Sequence, residues 1–325
     1  MSGTKTSIAF LVIAYGCPEH TEKCIRLLQR YFQGRYDIVL FDNHSPQSLN
    51  SLARKLKVQY LASEENLGFA GGVNFVVALW LRKHSADWIC LVNTDAFVNE
   101  QFAQELQKQL PSLSQQQKLA AFQPLLFQDE ALTQPENFGV FYFQSGLTFQ
   151  NRSGKIHPST LLNGAFLFLR GSVVHELLSQ DGYIFVPEYF YNAEDIELSL
   201  RLLSRGYRIQ VNSRLRVQHL GSQSLGGFSE QSFFQAWRNV LWTKYIVDNK
   251  LDWMREFPSL CIGQLLLLFL AFRHRWWRMP IQVGKEFFLP PSTLSLRRKQ
   301  FQELKTSVIW KKYIQEGVFP SLFLR

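Results

Sequence analysis

Cysteine is scarce in this sequence, and the few that occur are not grouped. The 325 residues contain four cysteines, with no C-x-x-C pair and no spacing to histidine that resembles a metal site. This pattern argues against a disulfide scaffold and predicts reduced thiols in a cytoplasmic compartment. The four are Cys17, Cys24, Cys90 and Cys261.

The amino-terminal region lacks several common motifs. MSGTKTSIAFLVIAYG has one lysine, a short apolar run and no small-residue cleavage site, so it reads as a first strand rather than a signal peptide. The segment that follows, AYGCPEH, contains no G-x-G-x-x-G, which a nicotinamide dehydrogenase would need there. It also lacks the glycine-rich loop with Arg and Lys that a sugar-nucleotide pyrophosphorylase would need.

Acidic residues are few toward the carboxyl end. Residues 273–325 hold eleven Lys and Arg against three acids, so they carry +8 of the net charge of +9. Such a segment suits nucleic acid or an anionic membrane surface. It follows an apolar run of fourteen residues, SLCIGQLLLLFLAF, which is shorter than the roughly 20 residues needed to span a bilayer.

Apolar runs alternate with helical patterns over the first hundred residues. This β-α-β-α-β-α-β order predicts an α/β fold with a mainly parallel sheet flanked by helices. The four predicted strands are 7–16, 36–46, 58–62 and 86–98.

The second half is less regular. The glutamine-rich segment 111–160 reads as connecting structure with short strands. Strands are predicted at 161–170 and 208–221, and helices at 173–182 and 191–207.

Three glycines occupy the junction between the third strand and the next helix, in EENLGFAGGVNF (64–75). Glycine inside a helix costs about 1 kcal/mol relative to alanine, so the chain must need bare backbone here. A tight turn, close packing of the helix on the sheet, and a ligand against the main chain all remain open. The glycines are Gly68, Gly71 and Gly72.

Polar side chains follow the predicted parallel strands, at the edge where ligands collect in such folds. Each has an ordinary structural interpretation when taken alone. Asp42 and Asp95 suit turn capping, and acids that open a helix, such as Glu194 and Asp195, are favoured by the helix dipole. A lone histidine such as His219 is usually a surface or hydrogen-bonded residue. No one of these residues is diagnostic.

Their order along the chain is much more specific. Residues 7–225 resemble the family 2 glycosyltransferases of the GT-A fold, and in particular their bacterial rhamnosyltransferase-like branch. The motifs that carry the resemblance are FDNHSP, ENLGFAGGVN, LVNTDA, NGAFLFLR, FVPEYFYNAEDIELSLRLLSRGYRI and VQHLGSQS.

The resemblance implies a site for a nucleotide-sugar donor. One part holds the base and ribose, a second forms the wall along the ribose and diphosphate at a helix start, and a third forms the floor where donor sugar and acceptor meet. The residues that match these parts and the adjoining metal motif are Ala14, Tyr15, Asp42, Asn66, Gly68, Gly71, Asn93, Thr94, Asp95, Gly164 and Ala165.

The resemblance also implies a divalent cation, Mg²⁺ or Mn²⁺, on the diphosphate. Asp95 matches the last carboxylate of the family's Asp-x-Asp-type motif, in which Asn93 replaces the first Asp and Thr94 the usual proline. His219 matches a second metal contact, and imidazole is more natural for Mn²⁺ than for Mg²⁺. With fewer anionic ligands, the site is expected to bind metal weakly without donor.

The catalytic residues that the resemblance implies lie in A-E-D. Asp195 matches the base that accepts the proton of the acceptor hydroxyl in inverting transfer, and Glu194 supports the site. Ala193 stands where the family more often has glycine.

We expect residues 1–240 to form a GT-A catalytic domain, and residues 241–325 to form a helical, basic extension. Arginines interleaved with Trp276 and Trp277 at the end of the apolar run suit a lipid headgroup region. We favour attachment to the cytoplasmic face of the cell membrane over nucleic-acid binding. Packing of this helix on the catalytic domain or in a homodimer remains open.

The resulting hypothesis is an inverting, metal-dependent glycosyltransferase of bacterial surface polysaccharide or lipopolysaccharide synthesis. It would move rhamnose from dTDP-rhamnose, or alternatively a sugar from a UDP-sugar, to a glycan or lipid-linked acceptor. A catalytically inactive relative that scaffolds a synthesis complex is the competing class.

Overall fold

The computed structural model describes residues 6–32, 36–221, 229–304 and 309–316. The end of the VQHLGSQS motif and the basic residues Lys305 and Arg325 lie outside the described residues. The strands are β1 (Ile8–Ala14), β2 (Asp37–Asp42), β3 (Gln59–Ala62), β4 (Trp88–Asn93), β5 (Ala96–Phe97), β6 (Leu119–Phe127), β7 (Pro135–Asn137), β8 (Val140–Phe143), β9 (Thr148–Gln150), β10 (Phe166–Arg170), β11 (Arg208–His219) and β12 (Ile314–Gln315). The helices are α1 (Pro18–Phe32), α2 (Asn50–Leu56), α3 (Gly68–Leu81), α4 (Glu100–Gln115), α5 (Gly171–Gln180), α6 (Glu194–Ser204), α7 (Glu230–Val247), α8 (Lys250–Arg273), α9 (Met279–Phe288) and α10 (Ser292–Glu303).

One mixed sheet organises the amino-terminal part. Its strand order is β3-β2-β1-β4-β10-β6-β11-β5, and β7 pairs with β6. The strands β3, β2, β1 and β4 are parallel, as the sequence predicts, whereas β10 runs antiparallel to both β4 and β6. A separate sheet has the order β12-β8-β9. The carboxyl ends of β1 and β4 therefore lie side by side.

Strand β1 shows why its sequence is apolar throughout. All seven of its residues are buried. Phe10 and Val12 pack into the layer formed with α1, α2 and α4, and Leu11 and Ile13 pack into the layer formed with α3, α5 and α6. Because a central strand of a parallel sheet is covered on both faces, its sequence does not alternate between apolar and polar residues.

The sequence prediction for residues 111–160 is wrong in its most important part. Strand β6 is nine residues long, fully buried, and central in the sheet. Its sequence, LAAFQPLLF, is interrupted by Gln123 and Pro124 and preceded by several glutamines. The apolar pattern of a buried strand is therefore not evident from the sequence. Gln123 is buried because its side chain accepts a hydrogen bond from the amide of Asn163.

Several predicted boundaries also move. Helix α6 begins at Glu194 rather than at residue 191, and β10 begins at Phe166 rather than at residue 161. The predicted strand 86–98 is two strands, β4 and β5, separated by Thr94 and Asp95. As a result, several candidate site residues lie in the turns that follow strands or precede helices, and not inside those elements.

The carboxyl-terminal part is helical, as predicted. The suggested boundary after residue 240 stays a prediction, since α7 continues across it. Helix α8 has 24 residues and is long and apolar enough, by length and composition alone, to cross a bilayer. One of its faces is buried against the protein, at Glu256, Leu260, Gly263, Leu267 and Ala271.

Close packing requires a glycine at the first position of α3. A Cβ atom on Gly68 would lie 2.4 Å from the carbonyl oxygen of Phe190, and Gly68 also has a φ of +68°. A Cβ on Gly72 would lie 3.1 Å from the Phe41 ring, and one on Gly71 would lie 3.1 Å from the Leu67 Cβ. Packing therefore requires glycine at Gly68, whereas a side chain at Gly71 or Gly72 would be tight and would need its neighbours to shift slightly.

We expect Gly68→Ala to destabilise the protein more than the matched variant Gly206→Ala. Gly206 also has a positive φ, +81°, but nothing lies within 4 Å of its Cβ position, so its substitution costs only the left-handed backbone penalty of about 1–2 kcal/mol. Gly68→Ala adds an overpacking cost of about 1–3 kcal/mol. Urea unfolding of both variants measures the difference, and equal losses would show that the contact with Phe190 does not require glycine.

Candidate active site

A cleft of about 490 Å³ lies beyond the carboxyl ends of β1 and β4. It brings together most of the residues that the sequence singles out, from six separate parts of the chain. Those that line it are Ala14, Tyr15, Asn66, Gly68, Asn93, Thr94, Asp95, Gly164, Ala165, Glu194, Asp195 and His219.

Asp42 and Gly71 are not among the residues that line this cleft. The Asp42 carboxylate accepts hydrogen bonds from the Ser45 amide at 2.8 Å, the Leu49 amide at 2.9 Å and the Tyr60 hydroxyl at 2.9 Å. It is 3% exposed, so its oxygens are used inside the protein. Asp42 therefore stabilises the turn after β2 through these hydrogen bonds.

The next residue, Asn43, lines the cleft instead. Its side chain accepts a hydrogen bond from the Leu67 amide at 3.1 Å and donates to the Gly68 carbonyl at 2.9 Å. Asn66 accepts a hydrogen bond from the Gly68 amide at 2.9 Å. Asn43 and Asn66 therefore fix the start of α3 beside the cleft, while Tyr15, 41% exposed, stands at its edge.

Asp95 and His219 meet at the floor of the cleft. His219 Nε2 lies 3.4 Å from Asp95 Oδ1, and His219 Nδ1 lies 3.2 Å from Glu136 Oε2. All three side chains are buried. Burial lowers the pKa of His219, but the contacts with Asp95 and Glu136 outweigh it and raise the pKa to about 9. Without another cation, an imidazolium therefore supplies the positive charge next to the buried carboxylate of Asp95.

Glu136 is a site residue that sequence reasoning missed. It lies in β7, a strand of three residues within the segment 111–160, where no motif marks it. Its contact with Nδ1 holds the imidazole so that Nε2 faces Asp95. A carboxylate on the far nitrogen of a metal-binding histidine is the usual arrangement in metal sites.

The pair Asp95 and His219 fits part of a divalent-cation site. Two neighbouring ligands of an octahedral cation lie about 3 Å apart, which agrees with the 3.4 Å between Nε2 and Oδ1. Within the part of the chain that the structure describes, no group of three or more His, Cys, Asp and Glu side chains has the arrangement of a metal site. Phosphate oxygens of a ligand would have to complete the coordination.

Asp195 faces the cleft at the first turn of α6. Its Oδ2 accepts a hydrogen bond from the Gly164 amide at 2.9 Å, and its Oδ1 accepts one from the Ile196 amide at 2.8 Å. Burial raises the pKa of Asp195 to about 6, although these amide hydrogen bonds oppose the shift. Asp195 is therefore ionised at neutral pH and more basic than an ordinary aspartate.

Glu194 lies beside it in a different electrostatic state. Burial, together with the charge of Asp195, raises the pKa of Glu194 well above its ordinary value. Two neighbouring carboxyl groups in a buried site do not both ionise readily. These shifts favour the negative charge of the pair on Asp195.

Comparison with known proteins gives one family. Residues 9–172 match the sequence profile of glycosyl transferase family 2. No curated protein matches the chain. The mannosyltransferase PcManGT from Pyrobaculum calidifontis, in complex with GDP-Man and Mn²⁺, shares 13% identity with this chain, with a TM-score of 0.53 over 95% of this chain and 89% of its own.

Residues 1–349 of S. aureus TarS are also similar in structure. Alone and in complex with UDP, they give TM-scores of 0.47 and 0.48, each at 15% identity over 93% of this chain and 81% of their own. The likeness to PcManGT shows a shared fold, and the mixed sheet with flanking helices confirms the GT-A prediction. Since the profile spans half of the chain, this protein belongs to glycosyl transferase family 2.

Proposed function

We propose that the protein is an inverting glycosyltransferase in which Asp195 is the base. One observation carries the proposal: Asp195 and the pair Asp95–His219 line the same cleft, although they come from three distant parts of the chain. Inverting transfer needs a base on the acceptor hydroxyl and positive charge on the leaving diphosphate. The cleft offers residues for both.

The geometry of Asp195 suits the base. Amides of Gly164 and Ile196 each occupy one lone pair of its carboxylate, which fixes the rotamer and leaves lone pairs for an acceptor hydroxyl. The raised pKa of about 6 brings it nearer to the operating pH, where a general base works best. The raised pKa of Glu194 favours the negative charge of the pair on Asp195.

Asp95 and His219 would hold the cation. A bound divalent cation supplies positive charge that stabilises the departing diphosphate. The imidazole ligand favours Mn²⁺ over Mg²⁺, and PcManGT is described in complex with GDP-Man and Mn²⁺. Because His219 is protonated without metal, binding of a cation at Nε2 requires loss of that proton, so affinity rises with pH.

The donor is proposed to be a nucleotide-diphosphate sugar, with dTDP-rhamnose first and UDP-sugars second. The motif resemblance supports rhamnose. Tyr15, Asn43 and Asn66 line the part of the cleft near β1 and α3, where an aromatic ring and amide groups suit a base and ribose. We assign the diphosphate to the space between Gly68 and Asp95.

We further propose that the enzyme works at the cytoplasmic face of a membrane on a glycan or lipid-linked acceptor in surface polysaccharide or lipopolysaccharide synthesis. All four cysteines are free thiols, which fits a reducing compartment. The face of α8 opposite its buried seam is apolar and exposed. The exposed side chains are Leu251, Met254, Phe257, Ile262, Leu265, Phe269 and Phe272.

Charge beside this face favours anionic lipid as the partner. Arg273, Arg275 and Arg278 are exposed at the end of α8, and within the described ranges none of them forms an ion pair. Trp277, 60% exposed, lies among them. Apolar side chains bordered by arginine and tryptophan match the boundary between acyl chains and headgroups.

We expect Asp195→Asn to bind donor normally and to lose transfer. Removal of a general base costs about 10²–10⁴-fold in rate, whereas the nucleotide half of the cleft is unchanged. Donor binding is measured as the rise in melting temperature with dTDP-rhamnose or UDP-glucose and Mn²⁺, and transfer as release of nucleoside diphosphate. Normal turnover by Asp195→Asn would show that Asp195 is not the base.

The pH profile separates the two neighbouring acids. At saturating Mn²⁺, the rate should fall about tenfold per unit below pH 6, since the base must be ionised and the pKa of Asp195 is about 6. Glu194→Gln should keep this acidic limb and a rate within about threefold of wild type, because it copies the neutral form of Glu194. If the limb disappears in Glu194→Gln, Glu194 is the group that titrates.

The membrane proposal is tested by sedimentation with vesicles of phosphatidylglycerol and phosphatidylethanolamine. Leu265→Glu/Phe269→Glu should weaken binding at least about tenfold, because burial of each side chain is worth about 1.5–3 kcal/mol. Ile156→Glu is the matched control, since Ile156 is an exposed apolar residue outside α8. Equal binding by the double variant contradicts the proposal, as does concentration-dependent dimerisation through this face without vesicle binding.

A further inference from the structure

The segment before the catalytic helix has an unfavourable backbone. Phe190 has φ 62° and ψ −62°, and the Tyr191 amide donates to the Tyr189 carbonyl at 2.7 Å, which is a γ-turn of the rare, strained kind. Asn192 and Ala193 follow with φ of 71° and 67°. Each such residue costs on the order of 1–3 kcal/mol and persists only where the surroundings enforce it.

Asn239, in α7, is the residue that enforces this conformation most directly. Its side-chain NH₂ group lies within hydrogen-bond distance of three main-chain carbonyls, of Tyr189 at 2.9 Å, Tyr191 at 2.8 Å and Asn192 at 2.7 Å, and shares its two N–H groups among them. Asn239 is fully buried. One side chain thus provides hydrogen-bond donors for carbonyl groups on both sides of the γ-turn. In a regular helix or strand, backbone amides would pair with these carbonyl groups.

Arg238 holds the amide of Asn239 in place. Its guanidinium donates to Asn239 Oδ1 from Nε and from Nη2, both at 3.0 Å. The same Nη2 makes its shortest contact with Gln235 Oε1 and lies 3.3 Å from the carbonyl oxygen of Glu188 and 3.2 Å from that of Tyr189, so its two N–H groups are shared among these acceptors. Nη1 pairs with Glu286 at 3.0 Å. Because Oδ1 accepts from Arg238, the NH₂ group of Asn239 must face the segment.

The segment connects the two halves of the cleft. The Phe190 carbonyl accepts a hydrogen bond from the Ala70 amide at 3.0 Å, in the glycine-rich start of α3. Four residues after Phe190 the chain reaches Glu194, and Asp195 follows it. Residues 190–193 themselves line the cleft. A change in this backbone would therefore move the carboxylate of Asp195 relative to α3.

We propose that Arg238 and Asn239 are positioning residues, which hold the strained segment 189–193 so that Asp195 points at the reacting atoms. This inference deepens the proposed function and rests on Asp195 being the base. Misplacement of a catalytic group by about 1 Å can cost about 10²-fold in rate. Neither residue lines the cleft, so their effect would act through the segment and not through contact with substrate.

The test compares Asn239→Ala with Asn212→Ala. Asn212 is also buried, at 1% exposure, and its side chain makes hydrogen bonds with Gln109 and with the Arg214 amide in β11, away from the segment. Hydrogen exchange of the amides of residues 188–196, turnover of dTDP-rhamnose and UDP-glucose, and binding of dTDP and UDP are measured on the full chain. Arg238→Lys, which keeps a cation for Glu286, replaces Asn239→Ala if that variant does not fold.

We expect Asn239→Ala to speed exchange of these amides at least about tenfold and to lower kcat about 10²-fold, with nucleotide affinity within about threefold. Asn212→Ala should leave the amides and kcat unchanged. If the amides of residues 188–196 exchange at the same rate in Asn239→Ala as in the wild type, the inference is overturned, whether or not the wild type turns over either donor. If the wild type turns over a donor and Asn239→Ala has the same kcat, the inference is also overturned, but the proposed function stands. Failure of the wild type on both donors counts against the proposed donors alone.

Discussion

A buried carboxylate at the carboxyl end of a central strand is the constraint on which the cleft depends. Asp95 is 1% exposed, and an isolated ionised carboxylate in such a place is very costly. The fold supplies His219 from β11, and Glu136 from β7 holds the imidazole on its other side. The requirement for positive charge beside Asp95 therefore brings three distant segments together. A divalent cation on His219 Nε2, as proposed above, would meet the same requirement and would compete with the proton for that nitrogen.

The helix that carries Asp195 is anchored by charge as well. Arg201, buried in α6, forms ion pairs with Glu197 at 3.0 Å and with Asp181 at 2.5 Å, and it donates to the Ile184 carbonyl. Removal of one partner from a buried ion pair typically costs about 3–5 kcal/mol. Arg201 ties α6 to the chain before the strained segment, and Asn239 ties the segment itself to α7. The position of Asp195 thus depends on the contacts of α6, which begins at Glu194, and on those of the segment that precedes it.

Sequence reasoning succeeded where a local pattern has one physical solution. The apolar runs before Tyr15 and Asn93 predict parallel strands, and their shared edge predicts the cleft. It failed where contacts are made by residues far apart in the chain. A polar residue such as Gln123 argues against a buried strand, and it is tolerated in β6 because the amide of Asn163, far away in the chain, donates a hydrogen bond to its side chain. Asn43 rather than its neighbour Asp42 lines the cleft because Asp42 is used by the turn after β2, and no local pattern distinguishes two adjacent polar residues.

Ala193 shows how the site retains strain. A left-handed alanine costs about 1–2 kcal/mol relative to the ordinary helical region, and glycine, which the family more often has here, avoids most of that cost. Ala193 has φ 67° and ψ 2° as the residue that precedes α6. The methyl group of Ala193 allows this residue fewer backbone conformations than glycine would have. The hydrogen bonds from Asn239 to the carbonyls of Tyr191 and Asn192 add a second restraint on the backbone immediately before Glu194 and Asp195.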